Sequence, residues 1–387
     1  MFAIIIFLVV LSFLVLVHEL GHYVAARIFG VKAEEFGYGF PPRALGFVKE
    51  QGKWKRVGVR DQKTYASTIW SINWLPLGGF VRLKGEQGER AHDADSFLAK
   101  GVVPRIVILA AGVTMNWVLA AVIFIIAFMI GVPVQTDQLP PGAIIRDERV
   151  QITNIIPDSA AAKAGMAAGD FLISLNNVPI TRVSDAQSRL KADTEGGTPI
   201  RISFAQGEEI KTVTIKPEYV ESLKRPGLGV ALADTGIVRF PWHRAILQGV
   251  SSTWMYTKLI IGGLYGLLRD LIVQQKVTTD VSGPVGIAVM TGRIARQGWW
   301  SLAQFTALLS LNLAVINFLP IPALDGGRAI FVFIESLRRR RTSPRFEALT
   351  HQFGFFALLL LIAIVTVHDL RQYGGVILRG LGQIIGL

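Results

Sequence analysis

Four long apolar blocks set the first limit on this chain, because roughly 20 helical residues match the hydrocarbon thickness of a bilayer. They run from Phe2 past His22, from Ile106 to Val132, from Leu302 to Leu319 and from Phe353 to Val367. A chain of 387 residues that is 51% hydrophobic, with its apolar residues blocked in this way, reads as a polytopic α-helical membrane protein of about four transmembrane helices. The run Phe2–Val17 lacks the basic start and small-residue cleavage site of a removable leader, so it reads as a retained span.

Charge orients the blocks. A formal net charge of +12 would suggest nucleic acid in a soluble chain, but here the basic residues crowd beside apolar blocks, where they set topology. No nucleic-acid partner is expected. The basic connection from Arg27 to Arg105 and the Arg338–Arg341 run should both be cytoplasmic. The amino terminus, the connection from Pro133 to Trp300 and the carboxyl tail then face outward. With no cysteine in the chain, disulfides, thiolate ligands and a thiol nucleophile are excluded, so any metal must be held by His and carboxylates.

The outward connection is too polar and too regular to be a plain loop. Val150–Ile156, Asp170–Leu175, Ile200–Phe204 and Lys211–Lys216 read as strands parted by turn residues, with a short helix over Ser159–Gly165 and another over Asp185–Asp193. Residues 138–235 are thus expected to form a small α+β domain. Trp242 to Val273 is apolar but punctuated by Gly249, Gly262, Gly263 and Gly266, and is expected to lie on the outer interface or dip into it without crossing, since a fifth span would put the tetra-arginine outside. The expected organisation is 1–132 and 301–387 as two halves of a membrane core, 138–235 as the inserted domain and 242–300 as a membrane-associated outer segment. Residues 69–84, apolar but holding Pro76 and the Gly78-Gly79 pair, are expected to form a β-hairpin re-entering the membrane from the cytoplasm.

The chemistry is concentrated at the end of the first block. His18-Glu19-Leu20-Gly21-His22 puts two imidazoles at i and i+4, on one helix face, with Glu19 beside them, which suits two zinc ligands and a base for a water. Ionisable groups at the end of an apolar helix are costly to bury and are functional by default. A third ligand is needed. The downstream Gly and His of one soluble zinc-protease pattern are replaced by Ala25 and Ile28, and the nearest later acids, Glu34, Glu35 and Glu50, fall in a Gly/Pro-rich basic loop. Asp325 is the best candidate, beside Pro320 and Pro322, which break the third helix and free its backbone. His92, His243, His351 and His368 are expected not to ligate.

These motifs resemble those of the site-2 proteases, in their bacterial RseP-like group, over nearly the whole chain. The resemblance implies a zinc metalloendopeptidase that cuts the transmembrane segments of membrane proteins, such as anti-sigma factors or signal-peptide remnants. It implies one Zn2+ held by His18, His22 and Asp325, with Glu19 as catalytic acid and base. Gly112 and Asn116 match the family's Gly-x-x-x-Asn of the second helix, expected here to serve helix packing. Asn312, Asn317, Pro320 and Pro322 match the residues that engage unwound substrate, and Gly79 and Phe80 belong to a stretch similar to the family's re-entrant hairpin. Ser282–Ile287 is similar to a recurring segment before the third helix. The outward domain resembles a PDZ domain around Ala164–Asp170, and there is room for one such domain where RseP carries two. The implied setting is the bacterial inner membrane, with the PDZ domain extracytoplasmic. The implied partners are single-span substrates, the lipid bilayer and an upstream site-1-type protease acting first. The alternative from another class is a membrane-anchored PDZ adaptor with a decayed site, against which the intact His18, Glu19, His22 and Asp325 stand.

Overall fold

The structure, a computed structural model, describes residues 2–59, 61, 63–86, 88–136, 139, 142–195, 198–207, 209–220, 225–273 and 282–385. Arg60, position 138 at the start of the expected PDZ domain, and 274–281 within the expected outer segment lie outside these. The chain divides into two compact units, residues 1–124 with 249–387, and residues 125–248.

The first unit opens with helix α1 (Phe2–Ile28), then strands β1 (Ala33–Glu50), β2 (Lys53–Val57) and β3 (Ile69–Leu83), then α2 (Val102–Ile130). The second unit contributes β4 (Val132–Gln135), β5 (Ile144–Ile155), α3 (Ala160–Lys163), β6 (Phe171–Leu175), β7 (Val178–Pro179) and α4 (Val183–Glu195). It continues with β8 (Ile200–Gln206), β9 (Glu209–Ile215), β10 (Glu218–Val220), β11 (Arg225–Gly227) and β12 (Val230–Arg239). The chain then runs through α5 (Trp242–Val273), α6 (Pro284–Arg296), α7 (Trp299–Phe318), α8 (Asp325–Arg338) and α9 (Pro344–Ile385).

Four of these helices are long and apolar enough to cross a membrane: α1, α2, α7 and the Arg345–Gln372 part of α9. Their outer faces stay exposed and apolar, as at Ile4, Val9, Val122, Phe353 and Leu360, which is the pattern of helices that meet lipid. The glycines of α5 do not interrupt it, and it runs unbroken for 32 residues without being among those four.

The basic connection after α1 is more ordered than its Gly, Pro and charge content suggests. Residues 33–50 form β1, and β1, β2 and β3 make an antiparallel sheet in the order β2-β1-β3. The expected hairpin over 69–84 is corrected here. β3 bends at Pro76–Gly78, and its two arms do not pair with each other; the first half of β1 lies between them, with Phe36 opposite both Val81 and Trp70 and Gly37 opposite both Phe80 and Ser71. The physical reason is that β1 itself bends near Pro41-Pro42, where no backbone donor is available for a ladder, so each strand supplies two arms to one sheet. The tip of β3 is fastened to the middle of α1: Ser12 donates to the Pro76 carbonyl at 3.3 Å and accepts the Gly78 N–H at 3.1 Å.

In the second unit, β4-β12-β5-β6-β8-β9 form one sheet with β7 on β6. Val150, Ile152, Leu172, Leu175, Ile200, Ile202 and Phe204 fill its core with the Ala160-Ala161 face of α3 and Ala186 of α4. Ser159 caps α3 by accepting the Ala162 N–H, and Gly165 follows in the left-handed region, so the short helix starts and stops where the sequence marks it.

Candidate metal centre

His18 and His22 occupy the buried face of α1, while Leu20 between them is exposed. The partner carboxylate arrives from α8. α7 ends at Phe318, the backbone passes through Leu319–Leu324 without regular structure, and Asp325 begins the next helix. Two prolines in that passage remove N–H donors, and Ala323 is held at φ +80°, a left-handed conformation that costs a non-glycine residue about 1–3 kcal/mol. Gly326 and Gly327 let the passage fold tightly over the start of α8, since a Cβ at either would stand 2.3 Å from a carbonyl oxygen of residues 318, 319 or 321.

The result is a tight triangle. Asp325 Oδ2 lies 2.9 Å from His18 Nε2 and 3.4 Å from His22 Nε2, and the two Nε2 atoms are 3.2 Å apart. Four-coordinate zinc with bonds of about 2.0–2.1 Å separates its ligand atoms by roughly 3.3 Å, so these edges fit a zinc-sized ion. His22 Nδ1–H donates to the Ile108 carbonyl at 2.8 Å, which leaves a lone pair on Nε2. The side-chain Nδ2 of Asn116 lies 3.3 Å from His18 Nδ1, and the amide oxygen, fully buried, has no partner among the described residues. With that amide turned so that its oxygen accepts Nδ1–H, His18 too presents a lone pair at Nε2. Two imidazole lone pairs and a carboxylate then converge with no proton between them, a donor set that a cation satisfies.

The second span shapes the space around these atoms. A Cβ on Gly112 would stand 2.4 Å from His22 Nε2 and 2.8 Å from His18 Nε2, so only glycine leaves the ligand face open. Asn116 is tied in turn to α7, where the buried Ser310 hydroxyl donates to its carbonyl at 2.8 Å. Gly112 and Asn116, expected as helix-packing residues, therefore also border the triangle.

Glu19, next to His18 on α1, also meets the sheet, where its Oε2 accepts the Val81 N–H of β3 at 3.0 Å. The neighbouring Gly79 and Phe80 share that arm of β3, and Gly79 comes close enough that a Cβ would stand 3.2 Å from Leu16 of α1. Of the residues expected to meet substrate, Asn317 lies 3.5 Å from His18 Nε2. Asn312 instead donates to the Leu308 carbonyl of its own helix. Pro320 is exposed, and Pro322 is half-buried. Sequence reasoning missed Ser310 and Ser12, single hydroxyls inside apolar helices whose only signal is polarity at membrane depth, and it missed the backbone donor of Val81 altogether.

A helical membrane protein in which two imidazoles, a carboxylate and a neighbouring glutamate come together has the equipment of a metal-dependent hydrolase. Residues 6–361 match the sequence model of Peptidase family M50. A Clostridium perfringens protein is 30% identical over 365 residues, covering 94% of this chain and 97% of that one. Zinc metalloprotease RasP of Geobacillus kaustophilus is 27% identical over 96% of this chain and 98% of its own length, and the regulator of sigma-W protease RasP of Bacillus subtilis is 28% identical over 95% and 97%. The PDZ domain of an SdrC-like protein from Listeria monocytogenes aligns with 23% of this chain and 92% of its own, at 18% identity and a TM-score of 0.21. The chain belongs to peptidase family M50, the site-2 protease family, and is a membrane zinc metalloprotease.

Proposed function

We propose that this protein is an endopeptidase that hydrolyses peptide bonds within the transmembrane segments of other membrane proteins, using one zinc ion held by His18, His22 and Asp325. The observation that carries this reading is the placement of all three ligand atoms within 4.8 Å of one another, on α1 and α8, beside Glu19. Zinc, when bound, acidifies a water and polarises a carbonyl oxygen. Glu19 takes the proton from that water and returns it to the departing amine nitrogen, one group serving as base and then acid. The Val81 N–H holds the carboxylate by one oxygen, leaving the other for the proton.

A substrate helix hides its peptide bonds and must unwind before it is cut. The arm of β3 at Gly79 and Phe80 is suited to pair with the freed strand by β-augmentation, and the Asn317 amide, with Asn312, Pro320 and Pro322 along the same path, is suited to engage its backbone. The sheet is read as re-entrant, dipping to membrane depth from the cytoplasm. Its tip is bound at Ser12, halfway along α1, and it exposes Ile72, Trp74, Leu75 and Phe40. His18 lies about 24 Å along α1 from Phe2 at roughly 1.5 Å per residue, so with the amino terminus outside, the zinc falls in the cytoplasmic part of the bilayer. We place the chain in the bacterial inner membrane, with the sheet domain extracytoplasmic as a PDZ domain that acts either as a filter admitting substrates already shortened by an upstream protease or as a peptide binder. The two helices and the strand order of that domain support the assignment.

The test is where the cut falls. Purified enzyme given a single-span protein in detergent should yield fragments that mass spectrometry ends inside the apolar span. Fragments ending only in the flanking polar segments would contradict an intramembrane site.

A further inference from the structure

The passage that delivers Asp325 to the triangle has no regular structure of its own, and its strained residue is held from outside. The holder is α9. His351 Nδ1 accepts the Ala323 N–H at 2.8 Å, fixing the peptide of the residue at φ +80°. Three residues further along α9, and so on the same helix face, Gly354 brings the backbone so close that a Cβ there would stand 2.4 Å from the Pro322 carbonyl oxygen. One hydrogen bond and one close approach on α9 therefore grip two successive residues, Pro322 and Ala323. The imidazole is itself fixed, with the Phe331 ring of α8 at 5.4 Å. Because Nδ1 is an acceptor, the proton of the neutral ring sits on Nε2, which is buried without a partner among the described residues. His351 also lines a cavity of about 470 Å3 with Glu86, Arg328 and Glu347.

We propose that His351 is a positioning residue for the third metal ligand. By holding the Ala323 peptide two residues before Asp325, it sets how far that carboxylate reaches toward His18 and His22, from a helix that supplies no ligand itself. This inference rests on reading Asp325 as a ligand. A histidine that merely filled space against Phe331 would affect stability and leave metal affinity alone. A positioning role ties affinity to one atom, the acceptor at Nδ1.

The experiment uses the full-length chain in detergent, with His351→Leu, His351→Asn and Asp325→Ala beside the wild type. The asparagine amide oxygen takes the place of Nδ1 and still accepts. Zinc affinity is read by competition with a chromophoric chelator, and kcat and KM by cleavage of a single-span substrate. His351→Leu should weaken zinc binding about 10–100-fold, the usual effect of removing a group that supports a ligand, with kcat falling and KM steady. His351→Asn should restore both toward wild type. Wild-type affinity in His351→Leu, or equal losses in the leucine and asparagine variants, would overturn the proposal. If Asp325→Ala keeps its zinc, the ligand reading beneath it fails. If Asp325→Ala loses zinc while His351→Leu keeps it, the positioning role alone fails.

Discussion

At the scale of single residues, the centre depends on which ring nitrogens carry protons. Ile108 fixes the tautomer of His22 through its carbonyl, and Asn116 is placed to do the same for His18. Replacing Asn116 with leucine should therefore weaken zinc binding about 10–100-fold in a chelator titration, while Asn116→Asp, which keeps an acceptor, should stay near wild type. Equal affinity in the leucine variant would show that His18 needs no such partner. His18, Glu19 and His22 were legible in the sequence because i and i+4 share a helix face, a purely local geometry. Asp325, 303 residues after His22, was reachable only by elimination and resemblance. The part played by Asn116 was hidden, since the spacing to Gly112 says that two residues share a face of α2 without saying what that face meets. His351 read as a bystander for a similar reason, because its partner is a backbone N–H on another element.

At the scale of elements, the basic connection after α1 shows where composition misleads. Gly37, Gly39, Pro41, Pro42 and alternating charges argue for a loop, yet residues 33–50 form a strand because the apolar arms of β3 flank its first half on both sides, and the first of those arms and β2 flank its second half. Its charges are then paired instead of solvated: Arg43 donates to both oxygens of the buried Glu35 at 2.8 and 2.6 Å. A second buried pair joins α2 to α8, with Arg105 Nη1 at 2.7 Å from Glu335 Oε2. Breaking it on one side leaves a buried charge alone, so Arg105→Met should cost about 3–5 kcal/mol, read as a lower thermal midpoint in detergent. The double variant with Glu335→Leu should recover most of that loss, since two apolar residues leave no orphan charge. A double variant as unstable as the single would mean that the position needs packing specific to arginine. The spans themselves were plain from hydropathy, and the break before Asp325 from its two prolines, because both signals are local.

At the scale of the whole molecule, the topology proposed from the loop charges puts the sheet domain outside and the zinc near the inner face, and that proposal can be tested directly. The chain has no cysteine, so single cysteines report sidedness directly. In intact bacterial cells, a membrane-impermeant maleimide should label Asp185→Cys on α4, and should label Lys53→Cys on β2 only after permeabilisation; both positions are exposed. Labelling of both in intact cells would overturn the topology. The most direct measurement of all concerns Glu19, which the proposed mechanism makes the acid and base. The Glu19→Gln enzyme, purified with zinc quantified, is incubated with a single-span substrate beside the wild type. Zinc content equal to wild type with cleavage lowered by about a hundredfold or more is the expected result for loss of an acid–base group. Undiminished cleavage by the zinc-loaded Glu19→Gln enzyme would contradict it.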